Sequence, residues 1–248
     1  MHGMIRKFLI YFFCIAALAK TNAAFAQNKS AITISFNHFV KDEVLQLDTV
    51  RFFNDVAQAY SVTMFKYYVG HFCLTTNTGK KINDTAYFLI NEEAPESKNI
   101  ALQGIPEGTY KSIDFMVGVD SMDNCSGAQA GALDPIHAMF WAWNTGYIFL
   151  KLEGWSNASA SPGHVLEYHI GGYKAPANCI RKVHINFPEN LQVNQQHQLK
   201  LALKVDISKL FGPWHQMDFT KLSSVTDFHN ATTIADNYAQ MFTYLSAN

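Results

Sequence analysis

The segment QLKLALKVDI, residues 198–207, fixes the fold class more firmly than any other stretch of the chain. Leu199, Leu201, Leu203, Val205 and Ile207 fall on one side of an extended backbone, and Lys200, Lys204 and Asp206 fall on the other. Side chains on a strand alternate between faces, so such a pattern buries one face of a sheet and leaves the other in water. AITISFNHFV (31–40) puts Ile32, Ile34, Phe36, His38 and Val40 together, and YKSIDFMVGV (110–119) does the same with Ile113, Phe115, Val117 and Val119. YIFLKLE, HVLEYHI and CIRKVHINF also read as strands, and NTGKK, IPEG, SPG, YKAPAN and FPEN punctuate them as turns. The expected class is all-β, an antiparallel two-sheet sandwich. One helical stripe stands apart: Ile234, Tyr238, Met241, Phe242 and Leu245 predict a short C-terminal helix near 232–245, with a turn at SKLFGP before it. Residues 120–138, DSMDNCSGAQAGALDPIHA, read as a long Gly-rich loop of the kind that often carries function.

The first 26 residues have a different character. Arg6 and Lys7 precede the apolar run FLIYFFCIAALA, and small residues at Ala24 and Ala26 close it. This is the pattern of a signal peptide, with cleavage expected before Gln27 and a single domain over 27–248. The expected location is the periplasm, the cell surface or the medium, and the expected mature protein has no membrane span. That mature chain carries 16 basic and 20 acidic side chains, a net of −4, with no basic patch, which argues against nucleic acid as a partner. Cys73, Cys125 and Cys179 remain after cleavage. Export permits one disulfide among them, with the pairing open, and no C-x-x-C spacing points to zinc.

The chain has no G-x-S-x-G, no H-E-x-x-H and no phosphate loop, so a binding role is expected rather than an enzymatic one. Most of its histidines lie on polar strand faces or in turns. His38 shares an apolar face, where an imidazole needs a hydrogen bond or a metal. His169 ends a strand at a Gly-Gly corner. Trp141 and Trp143 bracket the crowded stretch MFWAWNTGYIFLKLEG, which reads either as core or as a tryptophan site. Asp120, Asp123 and Asn124 read as turn formers rather than as a calcium loop. Histidines with an unusual extra ligand suit copper. The alternative is an exported glycan- or peptide-binding module that stacks its ligand on Trp141, Trp143 and Trp155.

Five segments, FNHFV, FKYYVGHFCL, IDFMVGVDSMDNCSGAQAGALDP, MFWAWNTGYIFLKLEG and EYHIGG, together resemble the MbnP family of exported copper-binding proteins, which is associated with methanobactin systems. The resemblance runs in order from near residue 32 to about 172 and continues through VDISKLF. It implies a β-sandwich that binds copper for acquisition or storage through His38 and His169, which are therefore expected to lie close together. It also implies oxidation of a tryptophan to kynurenine by a di-haem partner of the cytochrome c peroxidase type, with Trp143 the first candidate and Trp141 the second. The chain departs from the pattern at His137-Ala138, where His137 offers a possible additional ligand, and at Gly70-His71.

Overall fold

In the computed structural model of the chain, which describes residues 29–48, 51–141, 146–194, 198–212 and 214–248, the alternating segments are strands. They are β1 (Lys29–Val40), β2 (Glu43–Val44), β3 (Phe52–Phe53), β4 (Ala59–Thr76), β5 (Lys81–Asn91), β6 (Asn99–Pro106), β7 (Gly108–Val117), β8 (Phe140–Trp141), β9 (Gly146–Trp155), β10 (Val165–Gly171), β11 (Arg181–Val193), β12 (Leu199–Asp206), β13 (Ser224–Val225) and β14 (Phe242–Ala247). Two helices, α1 (Ser121–Cys125) and α2 (Ala231–Tyr238), and several 3₁₀ turns complete the described residues. The expected signal peptide, Trp143 and His197 lie outside them. No helix among the described residues is long and apolar enough to cross a membrane.

The first sheet runs β14-β12-β1-β2, with β6 also on β1, and the second runs β11-β7-β4-β9-β10-β13, with β3 and β5 on β4 and β8 on β9. The alternating residues behave as their pattern requires. Ile32, Ile34, Phe36, His38 and Val40 are buried between the sheets, as are Leu199, Leu201, Leu203 and Val205. Aromatic edges interlock at the centre: Phe36 meets Phe115 and Phe242 with ring centroids 6.1 and 6.4 Å apart. Edge-to-face pairs of this kind add to the burial term because ring edges and faces carry opposite partial charge.

The sandwich differs from the expected one in two respects. Its sheets are mixed, because β1 pairs parallel with β12 and β10 pairs parallel with β13. A parallel pair needs a crossover, and between β1 and β12 that crossover holds every strand of the second sheet except β13, together with β2 and β6. The C-terminal helix is also shorter than expected. It stops at Tyr238, and residues from Phe242 onward form β14, antiparallel to β12. Phe242 reaches the aromatic centre from this strand, while Leu245, counted on the helical stripe, is 44% exposed. Pairing with the open edge of β12 outweighs a helical preference in a segment holding Phe242, Thr243 and Tyr244.

Candidate metal site

Phe140, Trp141 and Ile148 form the floor of a groove on the outer face of the second sheet. β8 and β9 pair antiparallel, with Phe140 opposite Tyr147 and Trp141 opposite Gly146. The loop at 120–138 holds this pair in place. Asn124 is buried, donates to the Val119 and Asp120 carbonyls, and accepts from the Tyr147 N–H at 3.0 Å. The Tyr147 hydroxyl donates to the Leu133 carbonyl at 2.8 Å. Asp120 caps α1 by accepting from the Asp123 N–H, so these polar residues build turns, as the sequence suggests. Trp141 is buried, lies edge-on to Phe228 and rests against Gly171. A Cβ at Gly171 would stand 2.7 Å from the Trp141 ring and 2.5 Å from the Tyr147 carbonyl oxygen. Gly171→Ala is therefore expected to displace the indole, costing about 2 kcal/mol through overpacking. A lowered melting temperature with an altered tryptophan emission maximum checks this, and an unchanged emission spectrum contradicts it.

The groove, about 410 Å³ in volume, is lined by Trp141, Phe140, Ile148, Lys151, Glu167 and His169, among others. His169 sits on β10 between Tyr168 and Ile170, both fully buried, so its own side chain takes the opposite face. In the ladder His169 lies opposite Lys151, and Glu167 lies directly opposite Glu153. The His169 Nε2 is 2.9 Å from Glu153 Oε1 and 3.9 Å from Glu167 Oε1, and the Lys151 ammonium is 3.3 Å from Glu153 Oε1. One ligand atom each from Glu153, Glu167 and His169 fall within 4.8 Å of one another. Burial lowers the His169 pKa below its ordinary value, against the raising effect of the Glu153 hydrogen bond, and Lys151 lowers it further. The imidazole is thus neutral near pH 7, with Nε2 bearing either a proton shared with Glu153 or a lone pair for a metal. An imidazole nitrogen and two carboxylate oxygens are a donor set that suits a divalent transition metal, copper included.

His38 is not part of this groove. It faces the interior of the sandwich from β1, with its ring centroid 5.0 Å from Phe65 and 5.6 Å from Tyr67, both on β4. Between those two residues, Lys66 points the other way, and in the ladder it lies beside Lys151, which pairs with His169. His38 and His169 therefore occupy opposite faces of the second sheet. The expectation that they lie close together does not hold, because β10 carries His169 out of phase with its buried residues. Both nitrogens of His38 are occupied: Nδ1 meets Glu92 Oε2 at 2.6 Å and Nε2 meets the Tyr67 hydroxyl at 2.9 Å. In the neutral ring, Nδ1–H donates to Glu92 and Nε2 accepts from Tyr67, and Lys98 closes the network on Glu92 at 2.8 Å.

The other singled-out residues are dispersed. His137 Nε2–H donates to the Gly131 carbonyl at 3.0 Å, and its ring lines a different groove with Phe88 and Ile100. Cys73, Cys125 and Cys179 are all free thiols, on β4, on α1 and ahead of β11. Cys179 is buried, and burial pushes its thiol up to about 12, which keeps it protonated. A three-tryptophan stacking face does not form from Trp141 and Trp155: the first is buried, and the Arg51 guanidinium lies 5.6 Å over the ring of the second. His71, Asp120 and Asp123 make a second grouping of ligand atoms at the cap of α1. Glu153 and Glu167 escaped the sequence reading, yet a signal was present. Glu167 and His169, like Lys151 and Glu153, are two residues apart on strands and must share a face.

The family model for MbnP matches residues 29–230. No curated protein matches the chain. Among solved structures, MbnP from Methylosinus trichosporium is similar, with 14% sequence identity, a TM-score of 0.48, and coverage of 77% of this chain and 83% of that chain.

Proposed function

Because this chain belongs to the MbnP family, we propose that it is an exported copper-binding protein with a methanobactin-associated role. Its metal site in this reading is the groove where His169 and Trp141 meet. The observation that carries the reading is that a neutral, largely buried imidazole, His169, and Trp141 line one groove. Copper favours imidazole among the ligands a protein offers. His169 would hold the metal, and Trp141 would form the wall beside it. The protein acts as a binder in acquisition or storage and performs no catalysis of its own.

The tryptophan segment bears on affinity. An unmodified indole N–H only donates, so it is a poor ligand. Oxidation to kynurenine by a di-haem partner would expose an aniline nitrogen and a carbonyl oxygen in its place. Trp143 is the first candidate for this change and Trp141 the second. Dioxygen, or two equivalents of peroxide, used at the partner's haem would cleave the indole C2–C3 bond, and hydrolysis would release C2 as formate; net, the side chain loses one ring carbon and gains one oxygen, about 4 Da in mass, a covalent change readable on the intact protein. The test is intact mass with copper content on protein exported by its native host. The expected result is a chain beginning at Gln27, carrying that mass gain and about one copper per chain through the histidine site. Copper-free protein that also fails to take up added copper would sink the reading.

A further inference from the structure

We infer that His71, Asp120 and Asp123 form a second metal site, separate from the copper groove, which takes a divalent transition ion such as Zn(II) and ties the 120–138 loop to the second sheet. The site does not depend on the copper reading above.

The three residues come together from separate parts of the chain. His71 lies on β4, Asp120 precedes α1 and Asp123 lies within it. The His71 Nε2 stands 3.3 Å from Asp120 Oδ2 and 3.0 Å from the Tyr87 hydroxyl on β5. One ligand atom each from His71, Asp120 and Asp123 fall within 4.8 Å of one another. The two oxygens of Asp120 have different tasks. Oδ1 accepts from the Asp123 N–H at 2.9 Å and fixes the turn, which leaves Oδ2 beside the imidazole. The Asp120 N–H donates to the Tyr87 hydroxyl at 3.2 Å, so β5 holds this corner of the loop as well. Charge points the same way. Two carboxylates converge here, and among the described residues neither forms an ion pair with a lysine or an arginine. A divalent ion between them would neutralise both at once. The His71 ring also lines an open groove of about 350 Å³ with Cys73, Asp114 and Met116, which gives an ion a way in.

The donor set decides the class of ion. An imidazole nitrogen with two carboxylate oxygens suits a divalent first-row ion, and three protein ligands leave a position for water. Ca(II) instead takes about six to eight oxygens, and cuprous copper prefers sulfur and imidazole. Tyr87 is a neighbour of the ion and not its ligand. Burial above all, with the charges of Asp120 and Asp123 adding to it, raises the Tyr87 pKa against the lowering effect of the Asp120 N–H bond, so the group stays a hydroxyl. A hydroxyl in this place orients a ligating group by hydrogen bonding. The consequence reaches β9. Asn124, next to Asp123, donates to the Asp120 carbonyl and accepts from the Tyr147 N–H at 3.0 Å. An ion that joins His71 to Asp120 and Asp123 therefore clamps the loop that braces β9.

The experiment is titration with Zn(II) of the full exported chain carrying His169→Ala, which removes the imidazole of the copper groove. It is compared with the same chain carrying, in addition, His71→Asn or Asp123→Asn. Asn suits position 71, where a φ of 51° lies in the left-handed region, and at position 123 it keeps the shape of Asp, so folding is preserved and circular dichroism verifies it. About one Zn(II) per chain is expected, with affinity about 100-fold lower in the His71→Asn chain and about tenfold lower in the Asp123→Asn chain, on the scale typical of ligand-sphere changes. Hydrogen exchange at the Asp123 and Tyr147 amides is expected to slow when Zn(II) is added, which ions held loosely elsewhere would not cause. If the chain takes up no Zn(II), or if neither substitution lowers its affinity, the three residues are not a metal site. Uptake of several ions per chain without slower exchange at those amides is adventitious binding only and overturns the inference equally. Tighter binding of Ca(II) than of Zn(II) overturns the class of ion. Copper uptake by the wild type tests the groove alone, so either site can fail without the other.

Discussion

Replacing His169 by alanine is expected to remove copper binding almost completely, by about 100-fold or more in affinity, with little effect on folding. The asymmetry follows from where the residue sits. His169 points away from the core, on the outer face of β10, while Tyr168 and Ile170 on either side carry the packing. Its loss leaves no cavity between the sheets. It does leave Glu153 and Glu167 opposed, with Lys151 near the first, which is a modest electrostatic cost at a partly solvated surface. For the metal the loss is severe, because the imidazole supplies the one nitrogen lone pair among the three converging groups, and oxygen donors alone hold copper weakly against water. Two measurements decide it. Copper titration should show saturable binding for wild type and none in the same range for the variant. Thermal unfolding should place the two melting temperatures within a few degrees, because the side chain lies outside the packing between the sheets. Retention of wild-type affinity by His169→Ala would move the site elsewhere, and the grouping of His71, Asp120 and Asp123 would be the next place to look.

The sequence carried more of this site than a motif reading takes from it. Strand positions were legible because side chains alternate with a period of two, and the same alternation already divided the histidines. His38 is in phase with Ile34, Phe36 and Val40, and His169 is out of phase with Leu166, Tyr168 and Ile170. One had to point inward and the other outward, which conflicts with a site shared between them unless their strands met at an edge. The carboxylates were equally open to this argument, since Glu167 travels with His169. What the sequence did not contain is the pairing of strands. That Glu153 faces Glu167 depends on the register of β9 against β10. The parallel union of β1 with β12 joins segments more than 150 residues apart, and a half-buried strand shows the same alternation whether its neighbour runs up or down. The end of the chain was ambiguous for a further reason. Tyr238, Met241 and Phe242 satisfy a helical stripe, but the free edge of β12 offers backbone hydrogen bonds that only a strand can take.

His38→Ala is expected to behave in the opposite way, with about 3 kcal/mol of stability lost and copper affinity retained. The imidazole fills space among Phe65 and Tyr67 between the sheets, so its removal opens a cavity that the strands cannot close. It also orphans two groups. The Tyr67 hydroxyl loses its acceptor, and Glu92 loses the donor at 2.6 Å, keeping only the Lys98 ammonium. A buried polar group without a partner costs about 1–3 kcal/mol, and for a mature chain of this length a 3 kcal/mol loss lowers the melting temperature by about 6–12 °C. The pH dependence of stability gives a second signature. Burial holds the His38 pKa below its ordinary value of 6.5, with Lys98 acting in the same direction, and it prevails over the raising effect of Glu92. Below about pH 6.5 the unfolded chain therefore binds a proton that the native chain refuses, and wild-type stability falls with acidification from there. Burial alone would raise the Glu92 pKa, but the hydrogen bonds from His38 and Lys98 bring it below 4.5, so its stabilising contribution is present above that value and is lost as pH falls further. Tyr67 and Glu92 are the titratable groups bonded to the ring, Lys98 stands behind Glu92, and Tyr67 stays protonated throughout, its pKa raised by burial. In His38→Ala the decline that begins near pH 6.5 should be reduced, leaving the acidic loss of the carboxylates. Denaturant unfolding of both proteins between pH 7.5 and 4.5 measures this directly. A variant with unchanged stability and a flat loss of copper would identify His38 as a ligand after all, and would require the sandwich to open at β1 for the metal to enter.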